Sequence, residues 1–93
     1  MKSIIQRIKN HCFICQKEGY LEEHHIYFGP NRKISEKYGL KVFLCYEHHR
    51  GTNGVHGKNG KILNERLKKE AQRRFELTHT REEFIGLIGK SYL

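Results

Sequence analysis

A chain of 93 residues has room for one domain, and a domain of that size buries too small a share of its surface to rest comfortably on apolar packing alone. The hydrophobic share is 37% with no Trp; no stretch approaches the roughly 20 apolar residues of a membrane span, and Met1 to Lys9 leads into no signal-peptide core. Eighteen Lys and Arg against ten Asp and Glu give a net charge of +8, which directs the chain toward a polyanion, nucleic acid first among them.

Taken in chain order, Ile4, Ile5 and Ile8 have the spacing of one side of a short helix, in a segment too short to separate helix from strand; it is expected to pack as a lid. Cys12-Phe13-Ile14-Cys15 reads as a metal knuckle. Gly19 then precedes a short strand over 20–25, and Ile26, Tyr27 and Phe28 extend the apolar signal to the Gly29-Pro30 turn. Residues 31–39 are polar and basic and read as an excursion from a hairpin, with a helical turn around 35–38. Leu40 to Leu44 returns as a strand that ends at Cys45, after which Cys45 to His49 enters a helix of uncertain length.

Gly54, Gly57 and Gly60 mark a loop that carries His56. Beyond it, Leu63, Leu67, Ala71 and Phe75 recur at every fourth position, which predicts a helix with one apolar stripe and a basic remainder of Arg66, Lys68, Lys69, Arg73 and Arg74. Thr80-Arg81-Glu82-Glu83 has capping-box spacing, so a second helix should start there, bury Phe84 with Leu87 or Ile88, and end at Gly89, with Tyr92-Leu93 packing back. The expected class is α+β: one domain, with a core over about 12–58 and a helical C-terminal extension over 61–93.

Three cysteines cannot all pair with one another, so a metal in a reducing compartment accounts for them better than a disulfide framework. Cys12, Cys15, Cys45 and His48 form two ligand pairs with two residues inside each. Tight turns of that spacing aim both side chains at one ion, and three sulfurs with one nitrogen suit tetrahedral Zn2+. His49 could replace His48, since adjacent side chains are not separated by spacing alone; the two-residue interval favours His48. Such a site could contribute on the order of 10 kcal/mol to folding, offsetting the small core.

Four histidines remain for other work: His24, His25, His49 and His56. Neighbours in a strand project to opposite faces, so His24 and His25 should have different jobs: one can hold a divalent ion while the other takes a proton from water. The plain structural reading is a cross-hairpin hydrogen bond for the pair and an exposed loop position for His56. His11 and His79 have no comparable ligand spacing.

With Glu23-His24-His25-Ile26, Leu40 to Cys45, and Cys45-Tyr46-Glu47-His48-His49, the chain resembles the His-Me finger, or HNH, nucleases. More particularly it is similar to small phage-borne HNH proteins associated with recombination, through the run Arg32 to Leu40 and the C-terminal Arg81-Glu82-Glu83-Phe84. The resemblance covers roughly Cys12 through Tyr92. It implies a zinc-stabilised beta-beta-alpha-metal core, with His25 as general base and His24, His49 and His56 as ligands of one catalytic divalent cation: Mg2+ or Mn2+, with Zn2+ or Ni2+ also acceptable to an all-histidine set. The family commonly places an Asn in the second strand or the loop before the helix to fix the base. Leu40 to Leu44 contains none, leaving a backbone carbonyl or Asn53 to orient His25.

The function this implies is hydrolysis of a DNA phosphodiester, on duplex, single-stranded or branched substrate, in the cytoplasm of a bacterial host if the chain is phage-encoded. A homodimer or a recombination-protein partner would be in keeping with it; a membrane would not. Arg32, Lys33, Lys37 and Arg50 border the expected site, and Arg66, Arg73 and Arg74 extend a phosphate track along the helix, positioning a duplex without reading its bases. Two other readings use the same residues: a non-catalytic zinc-stabilised nucleic-acid-binding module, and a protein-interaction scaffold that uses zinc only to fold.

Overall fold

Two four-residue strands, β1 (Glu22–His25) and β2 (Lys41–Leu44), pair antiparallel in the computed structural model, which describes residues 1–93. Their register sets Glu22 opposite Leu44, His24 opposite Val42 and His25 opposite Lys41. The strand expected from Tyr20 is shorter because its partner runs out: beyond Leu44 the chain turns at Cys45 into helix α2 (Tyr46–His49), leaving Tyr20 and Leu21 nothing to pair with. The outer edge of β2 is covered by the N-terminal segment. Gln6 Oε1 accepts the Phe43 N–H at 2.8 Å, and the Phe43 carbonyl accepts from Phe13 N at 2.8 Å. Edge groups of a two-stranded sheet are thereby satisfied by a segment that is neither helix nor strand. Ile5 is buried there, whereas Ile8 points out to solvent, so only part of the expected isoleucine face packs.

Between the strands, a 3-10 turn over Gly29–Asn31 leads into α1 (Arg32–Tyr38), longer than the single turn expected from the polar composition. The reason is tertiary. Ser35, fully buried, donates to the Tyr27 carbonyl at 2.7 Å and accepts the Tyr27 N–H at 3.0 Å, pinning the polar helix to the segment that leaves β1. Gly39 closes α1 with φ of 71°, a left-handed conformation that disfavours a side chain.

Helix α3 (Lys61–Phe75) buries Leu67, Ala71 and Phe75, with Leu63 half-buried, as the stripe predicts. Helix α4 (Arg81–Ile88) starts at the expected capping box: the Thr80 hydroxyl accepts from Glu83 N at 3.0 Å, and the Glu83 carboxylate accepts from Thr80 N at 2.9 Å. Phe84 is fully buried between Tyr27 and Phe75 at ring separations of 5.5 and 5.7 Å. Buried Gln72 ties down the C-terminal residues by accepting Tyr92 N at 2.7 Å and donating to Ser91 at 3.0 Å. The hairpin, α3 and α4 thus share one core, with Val42, Leu44, Ile26, Leu40 and Tyr27 on the hairpin side. No helix is long and apolar enough to cross a membrane.

The segment joining α2 to α3 has more order than its glycine content suggests. The N–H groups of Gly54, Gly57 and Gly60 donate to the carbonyls of Gly51, Gly54 and Gly57 in turn, and those of Val55 and His56 donate to the carbonyls of His48 and His49, both at 2.9 Å. Carbonyls left over at the end of a short helix are satisfied by the loop that follows it. At Gly57 an added Cβ would run into the carbonyl oxygens of Gly51 and Thr52, so the coil closes only around glycine.

Candidate active site and metal centres

The two knuckles meet at the start of α2. A bridge between His11 and Glu18 closes the first one, Gln16 turns it with φ of 64°, and the Phe13 bond to Phe43 carries it to the end of β2. Cys45 is the residue before α2, and His48 lies one turn further on. Sγ of Cys15 and Cys45 are 3.8 Å apart, and His48 Nδ1 is 3.8 Å from Cys12 Sγ and 3.3 Å from Cys45 Sγ. With Zn–S bonds of about 2.3 Å, a tetrahedral zinc would set its sulfurs about 3.8 Å apart, whereas a disulfide needs about 2.05 Å. The cysteines form no disulfide, and the group is compatible with a structural zinc. Burial opposes ionisation of Cys12, but backbone N–H groups of Cys15, Cys45 and Ile14 outweigh it and lower the thiol to about 6, favouring the thiolate that zinc binds. Burial pushes Cys45 the other way.

His49 lies outside this group, which settles which of the adjacent histidines faces the sulfurs. His24 from β1, His49 from α2 and His56 from the glycine loop converge, with ring separations of 5.2, 5.1 and 4.8 Å and one ring nitrogen from each within 4.8 Å of the others. His24 is 2% exposed, and its Nε2 is buried without a hydrogen-bond partner. A buried, unpaired imidazole nitrogen costs about 1–3 kcal/mol unless something satisfies it. Burial, followed by the proximity of His49 and His56, lowers His24 to about 3, and the same two causes, burial and then His49, lower His56. Both therefore offer lone pairs at neutral pH. His49 Nδ1 is 2.6 Å from Glu22 Oε1, an arrangement that fixes the tautomer of a metal-binding histidine and leaves Nε2 for an ion. The convergence and the orphaned nitrogen fit a divalent cation with nitrogen-preferring chemistry.

His25 faces different partners. Its Nε2 is 2.8 Å from Glu36 Oε1, and Lys41 Nζ, opposite it in the register, is 3.0 Å from each oxygen of Glu36 and 3.2 Å from Glu23 Oε2. Strand alternation accounts for this: Glu22 and His24 project to one side, Glu23 and His25 to the other. Yet His25 is the last residue of β1, where the chain bends, and both histidines line one depression of roughly 170 Å3 together with Glu23, Phe28, Arg32, His49 and His56. Asn53, expected as a partner of His25, instead accepts from Asn59 at 3.2 Å.

Of the basic residues, Arg32 lines the depression. Arg32, Lys33, Lys37 and Arg66 have no carboxylate partner, whereas Arg50 is 3.0 Å from Glu22, Arg74 is 3.2 Å from Glu70, and Arg73 makes a looser approach to Glu70 at 3.9 Å. The guanidinium groups of these pairs are exposed, and ion pairs open to solvent in this way are weak. Lys68, part of the basic face of α3, lies 5.2 Å from the Phe28 ring and close enough to disfavour charge on His24. The sequence by itself does not single out Glu22 or Glu36. The position of Glu22, two before His24 on the same strand face, was a usable signal; nothing local links Glu36 to His25.

No protein-family model, curated protein or solved structure matches this chain.

Proposed function

We propose that the chain is a metal-dependent DNA endonuclease of the HNH, or His-Me finger, type, with β1, β2 and α2 as its beta-beta-alpha-metal core. The observation that carries this reading is the second cluster: three histidines converging beside His25 in a depression separate from the Cys3His group. A module that only binds nucleic acid needs the zinc and the charge but has no use for a buried, unpaired imidazole nitrogen next to an available histidine.

In the reaction, Arg32 draws a backbone phosphate into the depression and His25 takes a proton from a water beside it. The oxygen of that water attacks phosphorus, the bond to the leaving sugar oxygen breaks, and the leaving oxygen receives a proton from solvent. His24, His49 and His56 would hold a divalent cation, which would supply stabilisation of the negative charge that builds during the attack. Glu22 keeps His49 in its ligating orientation, and Phe28 borders the cluster at 5.9 Å from His24 and 5.2 Å from His56. Three imidazoles form a softer set than Mg2+ prefers, so Mn2+ should support the reaction better than Mg2+, with Ni2+ and Zn2+ as further candidates.

The test is nicking and cleavage of single-stranded, duplex and branched DNA with each of these ions, using protein that carries one tightly held zinc. Parent protein should cut at least one substrate, and His25→Ala should lose about 100-fold or more in rate while keeping its zinc. If folded, metal-loaded parent cuts nothing, or His25→Ala cuts equally well, the reading fails and the binding module takes its place. A homodimer or a recombination protein that directs the cut belongs to the same proposal, and light scattering with and without DNA addresses the first.

A further inference from the structure

A histidine base works only if one ring nitrogen is bare when water arrives, and in a neutral imidazole the two nitrogens compete for a single proton. Which one keeps it is set by the other groups within hydrogen-bonding reach. For His25 that environment is one-sided. Nε2 lies 2.8 Å from Glu36 Oε1, whereas Nδ1 makes no hydrogen bond to the protein. The Glu23 carboxylate approaches the same Nε2 only to 3.8 Å, too far for a hydrogen bond.

Glu36 is itself held as an acceptor. Lys41 is largely buried, and its ammonium donates to both oxygens of Glu36 at 3.0 Å while pairing with Glu23 at 3.2 Å. A carboxylate bound in this way has no proton of its own to give, so the proton in the 2.8 Å contact belongs to the histidine. The parts come from three elements: His25 ends β1, Lys41 begins β2 directly opposite, and Glu36 projects from α1. Helix α1 is fixed by the Ser35 clamp on Tyr27, one residue before Glu36, so the carboxylate is carried on a restrained scaffold.

We infer that Glu36 is a positioning residue of the site: its carboxylate, braced by Lys41, keeps the His25 proton on Nε2 and leaves Nδ1 as the nitrogen that accepts a proton from water. This fills the place that an asparagine or a backbone carbonyl would take, and it rests on the reading of His25 as the base. In this role Glu36 acts through His25 rather than on substrate or ion. An off-tautomer base would need a proton shift before each turnover, and a ring without its tether would sample unproductive orientations.

Two readouts test this separately from the nuclease reading. Nitrogen NMR of labelled, zinc-loaded parent should show the neutral His25 ring as the Nε2–H tautomer, with Glu36→Ala giving a mixture. In the cleavage assay with Mn2+, Glu36→Ala should lower kcat at least about 10-fold with little change in KM or zinc content. Glu36→Gln, whose amide oxygen still accepts the N–H, should recover most of that loss. An Nδ1–H tautomer in the parent overturns the inference even if the protein cuts DNA, as does a Glu36→Ala enzyme as fast as the parent or a Gln variant as slow as Ala. A parent that cuts no DNA but shows the Nε2–H tautomer, lost in Glu36→Ala, would sink the nuclease reading and leave the positioning of His25 by Glu36 standing.

Discussion

At the scale of single residues, His24 carries a folding cost that no protein group offsets. Its ring is buried, yet its Nε2 has no protein partner. A cation would remove the penalty, and binding to the folded state alone would raise stability by about 2.7 kcal/mol at a hundredfold excess over the dissociation constant. In the absence of added divalent ion, His24→Leu should therefore be at least as stable as the parent. With saturating Mn2+ the parent should gain several degrees in Tm and the Leu variant none. Equal Mn2+ shifts in the two proteins would show that the three histidines do not form an ion site. A zinc in the Cys3His group would be untouched by the change, because His24 is not one of that group's residues.

At the scale of elements, the short pieces are stabilised by bonds at their ends. Helix α4 has eight residues, too few to persist without its cap and its one fully buried aromatic side chain. Thr80→Ala should cost about 1 kcal/mol by leaving the Glu83 N–H without its acceptor. The reciprocal half of the box has a pH signature. The Thr80 backbone N–H, and then its hydroxyl, hold the Glu83 carboxyl below the usual carboxylate range. A depressed carboxylate contributes stability that is fully present above its unfolded pKa of about 4.3 and is lost as pH falls through the lower folded value. Tm measured from pH 6 down to pH 3 should consequently fall less steeply for Glu83→Gln than for the parent; parallel curves would remove the cap from the acid response. The coil between α2 and α3 works on the same principle, placing His56 through loop N–H groups that satisfy the carbonyls of His48 and His49.

At the scale of the whole molecule, 23 of 93 residues are buried, a small core that a structural zinc in the Cys3His group would reinforce. Apparent binding free energies for structural zinc are on the order of 10 kcal/mol, comparable with the entire stability of an ordinary domain. Removing zinc should therefore unfold the chain rather than loosen it. A strong chelator is expected to abolish the far-UV circular dichroism of the helices in one cooperative step, reversed by adding Zn2+. Retention of the helical signal in verified zinc-free protein would show that the apolar core suffices. A weaker chelator should strip an ion from the three histidines first and leave the fold intact, because that cluster lies in an open depression and joins elements the core already holds.

Local chemistry was enough to read the knuckle pairs, the apolar stripe of α3 and the capping box of α4 from the sequence, since each depends on residues a few positions apart. The surplus of histidines likewise pointed to a second cluster, and the fold brings His24, His49 and His56 of it together. The ends of β1 could not be read in this way, because strand length is set by the partner strand, and α1 was underestimated because its polar helix is stabilised by the buried Ser35 clamp. Only the tertiary structure separated His48 from His49, since one helical turn aims adjacent side chains at different groups. It alone brought Glu36 to His25 from another element, a contact fixed by the packing of α1 on the hairpin and by no pattern along the chain.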